Sequence, residues 1–232
     1  MPRMAFTDAR ILVFLGSDRQ KFLDGLSSNK VEFESNGVVT TLFLDNKAKI
    51  VAQVHLFCLG ELIIGITITE DSQSFLEYLN QKILGQEVAI NDITSLNHID
   101  IIYDEPNIVD GVVAQSNHTI IGMNRLYQFD IYPSKLPREN VSNDYQSFTE
   151  WRISNLIPWY GYEISSKVNP YQCGLNSHVH ENKGCYTGQE ILTRMRSRNK
   201  GMCELEVIDN LEIDKHNVTT KGIEQSIIIK RV

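Results

Sequence analysis

The sequence predicts an α+β fold. Three observations carry this: the first ninety-odd residues read as strand, helix, several strands, helix, strand; a second group of strands closed by a helix follows; and neither a fixed-period repeat nor a low-complexity segment interrupts them. The chain has 232 residues, 42% of them hydrophobic and 22% charged, which is the composition of an ordinary globular protein able to bury a substantial core. Its net charge of −7 argues against a general affinity for nucleic acid or anionic membranes. Apolar runs such as Ile11 to Leu15 and Leu62 to Ile64 are far too short to span a bilayer, and the N-terminus lacks the long apolar stretch of a secretory signal. The expected location is cytoplasmic. Cysteines 58, 173, 185 and 203 are scattered, which suits free thiols in a reducing compartment.

In chain order, Ile11 to Leu15 is a buried strand, and Ser17 and Asp18 can cap a helix whose Phe22, Leu23 and Leu26 share a face. Val38 to Leu44 and Lys49 to Cys58 are strands joined by the turn residues Asp45-Asn46-Lys47, and Glu61 to Ile68 adds a third. Thr69 or Asp71 starts a helix with Phe75, Leu76, Leu79 and Ile83 on one side, and Val88 to Ile93 returns as a strand. This order suggests a split β-α-β unit of the ferredoxin-like kind. A second set has strands near Ile99 to Tyr103, Val109 to Ala114, His118 to Met123 and Leu126 to Tyr132, then a helix from Asp144 to Leu156. The predicted organisation is a first α+β half at 1–95, a second at 96–200 and a short β segment at 201–232, with strands such as Cys203 to Ile208 and Ser226 to Lys230.

The chemistry concentrates in Lys183-Gly184-Cys185-Tyr186-Thr187-Gly188-Gln189-Glu190. Thr187 and Glu190 have the T-x-x-E spacing of a capping box, so a helix is expected from Gly188 to about Arg198, closed by the turn at Asn199-Lys200-Gly201. Cys185 then lies just before a helix N-terminus and close to Lys183, where positive potential depresses a thiol pKa. The competing reading is a buried cysteine acting as a small hydrophobe. Arg194, Arg196, Arg198 and Lys200 form a basic cluster, read either as a solvated face with modest ion pairs or as a receptor for carboxylates. Cys173, His178, His180 and Cys185 include the ligand types of a zinc site. Their C-x4-H-x-H-x4-C spacing is not that of a common finger, so no metal is assigned. His55 and His98 receive no role, and Trp151, Trp159, Tyr160 and Tyr162 read as core and loop packing.

K-G-C-Y-T-G-Q-E resembles the signature of the YgfZ-type folate-binding proteins, relatives of the glycine-cleavage T protein (aminomethyltransferase). The likeness extends to Gly16 through Asn29, similar to the family's G-x-D-x-x-x-F-L-x-x-x-x-x-N segment, and to Asp45 through Ile50, where relatives usually read D-x-K-G-R-I. Trp151-Arg152-Ile153, Gly161 to Ile164, Asn169-Pro170 and Leu175 resemble the spacing that precedes the cysteine motif. The resemblance implies a ferredoxin-like folate-binding body of the glycine-cleavage T protein N-terminal type, with its C-terminal β-barrel truncated or absent. It implies tetrahydrofolate as cofactor, Cys185 as a reactive thiol, and Lys183, Tyr186, Gln189, Arg152, Arg194 and Asn29 as folate-binding residues. It further implies an accessory role in upkeep of iron-sulfur enzymes and in tRNA modification, with iron-sulfur proteins as partners and no direct nucleic-acid contact.

Departures from the pattern shape the alternatives. The aminomethyltransferases place a catalytic acid just after the second hairpin turn, where this chain has Ala52 and Gln53. A glutamate expected two residues after Arg152 is Ser154, and Lys30 follows Asn29 where an aspartate is common. These losses weigh against the first alternative, a folate-dependent aminomethyl or one-carbon transferase. The second alternative is a noncatalytic binding module whose cysteine is structural.

Overall fold

Strand-length apolar runs pair into three antiparallel sheets in the computed structural model, which describes residues 2–33, 37–106, 110–124, 126–138, 141, 144–198, 201–215 and 217–231. The first sheet takes the order β3 (Val38–Leu44), β4 (Ile50–Leu59), β5 (Leu62–Ile68), β2 (Arg10–Leu15), β6 (Ala89–Asp92). The second is β1 (Arg3–Ala5), β7 (Asn97–Tyr103), β10 (Tyr127–Pro133), β9 (Thr119–Met123), β8 (Val112–Ser116). The third is β11 (Cys203–Asp209), β13 (Gln225–Arg231), β12 (Val218–Lys221). The predicted start of β8 at Val109 lies outside the described residues.

Helix α1 (Arg19–Leu26) follows β2, and α2 (Ser72–Gln81) joins β5 to β6. Strands β5 and β6 both pair antiparallel with β2, which lies between them, so β5-α2-β6 is a split β-α-β unit. The β2-α1-β3 crossover differs, because two strands, β4 and β5, separate its ends in the sheet. Asp71 caps α2 by accepting from the Ser74 amide, as its position predicts. Asp18 stands at the N-cap of α1 without capping it, since its carboxylate accepts the Glu87 amide instead.

The first sheet is covered on both faces. Leu12, Phe14, Val54 and Leu56 pack with Phe22 and Leu23 of α1 and Phe75 and Leu79 of α2, as period-two alternation requires. On the opposite face Ile11, Phe57, Ile64 and Ile66 meet Ile99, Ile101 and Phe129 of the second sheet. The two sheets touch where Gly122 lies against Phe57: a Cβ on Gly122 would sit 2.5 Å from the ring.

β1 was not expected from the sequence, and it carries the chain's first strand into the second sheet rather than the first. A boundary at 95 therefore divides the sequence but not the packing. Its Arg3 forks between Asp100 (3.3 Å) and Asp130 (2.6 Å), carboxylates that stand directly opposite each other on β7 and β10. Burial, opposed by Gln128 and Arg3, raises the Asp130 pKa.

Helix α3 (Tyr145–Ser154) joins the second sheet to the third through Arg152. This side chain is fully buried, pairs with the equally buried Glu163 at 2.9 Å, and donates to Ile157 O and Thr220 Oγ1. Glu163 in turn accepts from Thr219, Thr220 and the Trp159 amide.

Two stability predictions follow from these contacts. Gly122→Ala should destabilise by about 1–3 kcal/mol, because the added methyl would lie 2.5 Å from the Phe57 ring and force it to shift; the denaturant midpoint should fall with m unchanged. Arg152→Met should cost about 3–5 kcal/mol, since it leaves Glu163 as an uncompensated buried charge, and thermal unfolding would record it.

Candidate functional site

Along β4 the side chains facing the second sheet are Gln53, His55 and Phe57, a change from amide to imidazole to phenyl at every second residue. Where the phenyl ends, the sheets part around a cavity of about 480 Å³, a size suited to a small-molecule ligand. Thr40, Gln53 and His55 form one wall, Asn124 and Tyr127 the second, and Asn29, Lys30, Ser177 and His178 the mouth.

His55 is 1% exposed. Its Nδ1 shares a hydrogen bond with Thr40 Oγ1 at 2.9 Å, and its ring lies 4.8 Å from that of Phe129. Nε2 is buried without a hydrogen-bond partner. Burial, and secondarily the charge of His178, lowers the His55 pKa to about 3, and burial lowers His178 to about 4. Both imidazoles are therefore neutral at physiological pH. Gln53 is 6% exposed, and among the described residues its amide takes no hydrogen-bond partner. The amide stands open to the cavity, whereas His55 Nε2 beside it is a fully buried polar atom without a partner.

A larger cleft of about 530 Å³ lies between Thr7 to Arg10 and Asp92 to Ser95, where Arg10 already closes on Asp92 at 2.6 Å. We place the functional site in the inter-sheet cavity, because both sheets build it and a whole side-chain amide faces it unpaired.

The predicted site residues do not converge on one place. Asn29 lines the cavity, with its amide donating to Thr40 O and accepting from the Lys30 amide. Lys183 does not: its ammonium donates to Asp24 O, Ser27 O and Asn29 O at 2.6–2.9 Å and lies 3.1 Å from the Asp24 carboxylate. Tyr186 packs among Leu42, Ala48, Ile50 and Leu192, with the Lys183 ammonium 5.6 Å from its ring centroid, and burial raises its pKa to about 12. Gln189 donates to Lys183 O at 3.4 Å and shares an outer groove of α4 (Gln189–Ser197) with Arg194 and Arg198. Arg152 is the core guanidinium already described. Cys185 is exposed and is not among the residues that line the cavity.

The capping box expected at Thr187 does not form. The N-cap is Gly188 at φ 84°, without a side-chain cap, and α4 begins at Gln189. Close approach explains this: a Cβ on Gly188 would lie 2.9 Å from both Ala48 Cα and Asp45 O, so the motif enters its helix pressed against the β3–β4 turn. Cys173 is fully buried with its thiol pKa raised to about 12 by burial, and among the described residues no three His, Cys, Asp or Glu side chains are grouped to hold a metal ion.

Sequence reasoning gave Gln53, His55 and Tyr127 no binding role and considered His178 only among the ligand types of a zinc site. The available signal was Gln-x-His within an otherwise apolar strand, two polar residues on one buried face.

No family model matches the chain, and no curated protein matches its sequence. Among solved structures it is similar to the glycine cleavage system aminomethyltransferase T from Bartonella henselae, with a TM-score of 0.72 and 11% identity over 99% of this chain and 78% of that one. The chain has the fold of that aminomethyltransferase. No helix among the described residues is long and apolar enough to cross a membrane.

His55 sets a pH dependence. Its folded pKa of about 3 lies below the ordinary 6.5, so the unfolded chain binds the proton first; stability is whole above pH 6.5 and declines as pH falls toward 3. At pH 4 the loss from His55 alone should reach about 3 kcal/mol, and His55→Gln should flatten the urea-unfolding profile across that range. Gly188→Ala should cost about 1–3 kcal/mol in the same assay, from positive φ and from backbone contact together.

Proposed function

We propose that this chain binds a reduced folate, with the pteridine in the inter-sheet cavity, and serves as a cytoplasmic accessory protein of the YgfZ type rather than as an aminomethyltransferase. The observation that carries this reading is the unpaired Gln53 amide. It stands in the stretch where the aminomethyltransferases carry a catalytic acid, and of the two residues there it is Gln53 that faces the cavity, while Ala52 packs toward the helices.

A side-chain amide presents one donor edge and one acceptor, the complement of the amide edge of a pteridine. It does not ionise, so it recognises without acting as a general acid or base. His55 and Tyr127 add a neutral imidazole and a phenol to the same walls. A pKa of about 3 leaves the imidazole a weak base at neutral pH. When bound, tetrahydrofolate supplies a one-carbon carrier; the residues present orient it and exclude water.

Cys185 is solvent-exposed, which suits a thiol that acts on a partner macromolecule rather than on an occupant of the cavity. The resemblance of its motif supports a role in the upkeep of iron-sulfur enzymes and, through them, tRNA modification, with an iron-sulfur protein as partner.

Calorimetric titration with tetrahydrofolate should give saturable binding at micromolar ligand, weakened roughly tenfold or more by Gln53→Ala. Absence of binding would overturn the folate reading. Methylene transfer by the purified protein would overturn the accessory role in favour of a transferase.

A further inference from the structure

Lys183 stands two residues before Cys185 in sequence, yet its ammonium points away from solvent: the side chain is 1% exposed. Its three protons meet the carbonyls of Asp24, Ser27 and Asn29, with the Asp24 carboxylate at the edge. Helix α1 has no basic residue in its last turn, and Lys183 supplies, from across the chain, the cation that those terminal carbonyls favour. Burial lowers its pKa, opposed by Asp24.

The staple does not act alone. Ser28 Oγ donates to His178 O at 2.7 Å, and the His180 amide donates to Ser28 O at 2.9 Å. On the other side Gln189 reaches Lys183 O at 3.4 Å. Residues 27–30 and 178–183 thus form one hydrogen-bonded unit. One edge of it carries Asn29, Lys30 and His178 to the cavity; the other leads to exposed Cys185.

We propose that Lys183 is a positioning residue that couples occupancy of the cavity to the accessibility of Cys185. The inference rests on reading the cavity as a folate site. An occupant packed against Asn29 and His178 restrains the shared unit. Because the ammonium is saturated by three carbonyls from the α1 end, the restraint passes to the backbone at 184–187 and narrows the conformations in which an electrophile can reach Sγ. A bulky group attached to Cys185 that resists the restrained arrangement in turn weakens the cavity ligand.

The test uses the full chain and 5-formyltetrahydrofolate, a reduced folate that needs no thiol reductant, with iodoacetamide alkylation of Cys185 followed by peptide mass spectrometry. Saturating ligand should slow alkylation by about fivefold, and alkylated protein should bind the ligand more weakly than unmodified protein. Lys183→Met should abolish the ligand effect on rate, a loss that a lysine with a purely structural role would not produce in a variant that still folds and binds. Should that variant fail to fold, hydrogen exchange of amides 184–187 in the unaltered protein decides the matter: ligand should raise their protection, and no change would overturn the coupling. Binding with an unchanged alkylation rate overturns the coupling and leaves the folate reading standing. Equal slowing in Lys183→Met overturns the route through Lys183. Absence of binding overturns the folate reading, and the coupling falls with it.

Discussion

The approach of the two large sheets at Phe57 and Gly122 is the constraint on which the site depends. With no side chain on Gly122, a phenyl ring fills the space between the sheets, and Ile64, Ile66, Ile101 and Phe129 close around it. That contact sets the gap. Two and four residues back along β4 the same gap is bordered by an imidazole and an amide, which do not fill it, and the cavity results. The pocket is thus the polar continuation of the hydrophobic core, lined by the same face of the same strand.

Charge is used sparingly and far from solvent in the parts that frame this cavity. The Arg152–Glu163 pair ties α3 and the 157–163 loop to the third sheet, with three hydroxyl or amide donors satisfying the remaining carboxylate sites. The motif lysine gathers the end of α1. Neither cation faces the cavity, whose walls mix uncharged polar groups with apolar ones such as Val38, Val39, Ile157 and Leu175; its charged members, Lys30 and Asp110, are exposed at the mouth. The polar side chains that border the cavity away from its mouth are thus neutral ones: Thr40, Gln53, His55, Asn124 and Tyr127.

Most of the elements were legible in the sequence because period-two alternation and turn residues mark them: β3 to β5, the start of α2, β9 and β10 stand within a residue or two of expectation, while β8 is displaced by two residues at its end. β1 was not, since a three-residue strand carries no period. The capping box failed for a tertiary reason, the pressure of Ala48 and Asp45 on Gly188, which no local spacing reveals. The motif stood out in the sequence, but where its side chains reach did not. Lysine and arginine look like ligand-binding residues in a sequence, whereas Lys183 and Arg152 satisfy carbonyls and a carboxylate that come from distant segments. The true lining, Gln53 and His55, was hidden among apolar neighbours, because the face a strand residue occupies matters only once the opposing sheet is known.

The pairing of Arg3 with Asp100 and Asp130 has a bearing on the order of assembly. During synthesis the first sheet has all its strands by Asp92, but the residues at the very start of the chain must stay unpaired until β7 and β10 emerge, because their partners are there. Until that moment Asp130 lacks its cation, while Asp100 has only Arg138 at 3.7 Å. The carboxylate of Asp130 thus waits for a segment more than a hundred residues away in sequence, a long-range closure that places the docking of β1 late in folding.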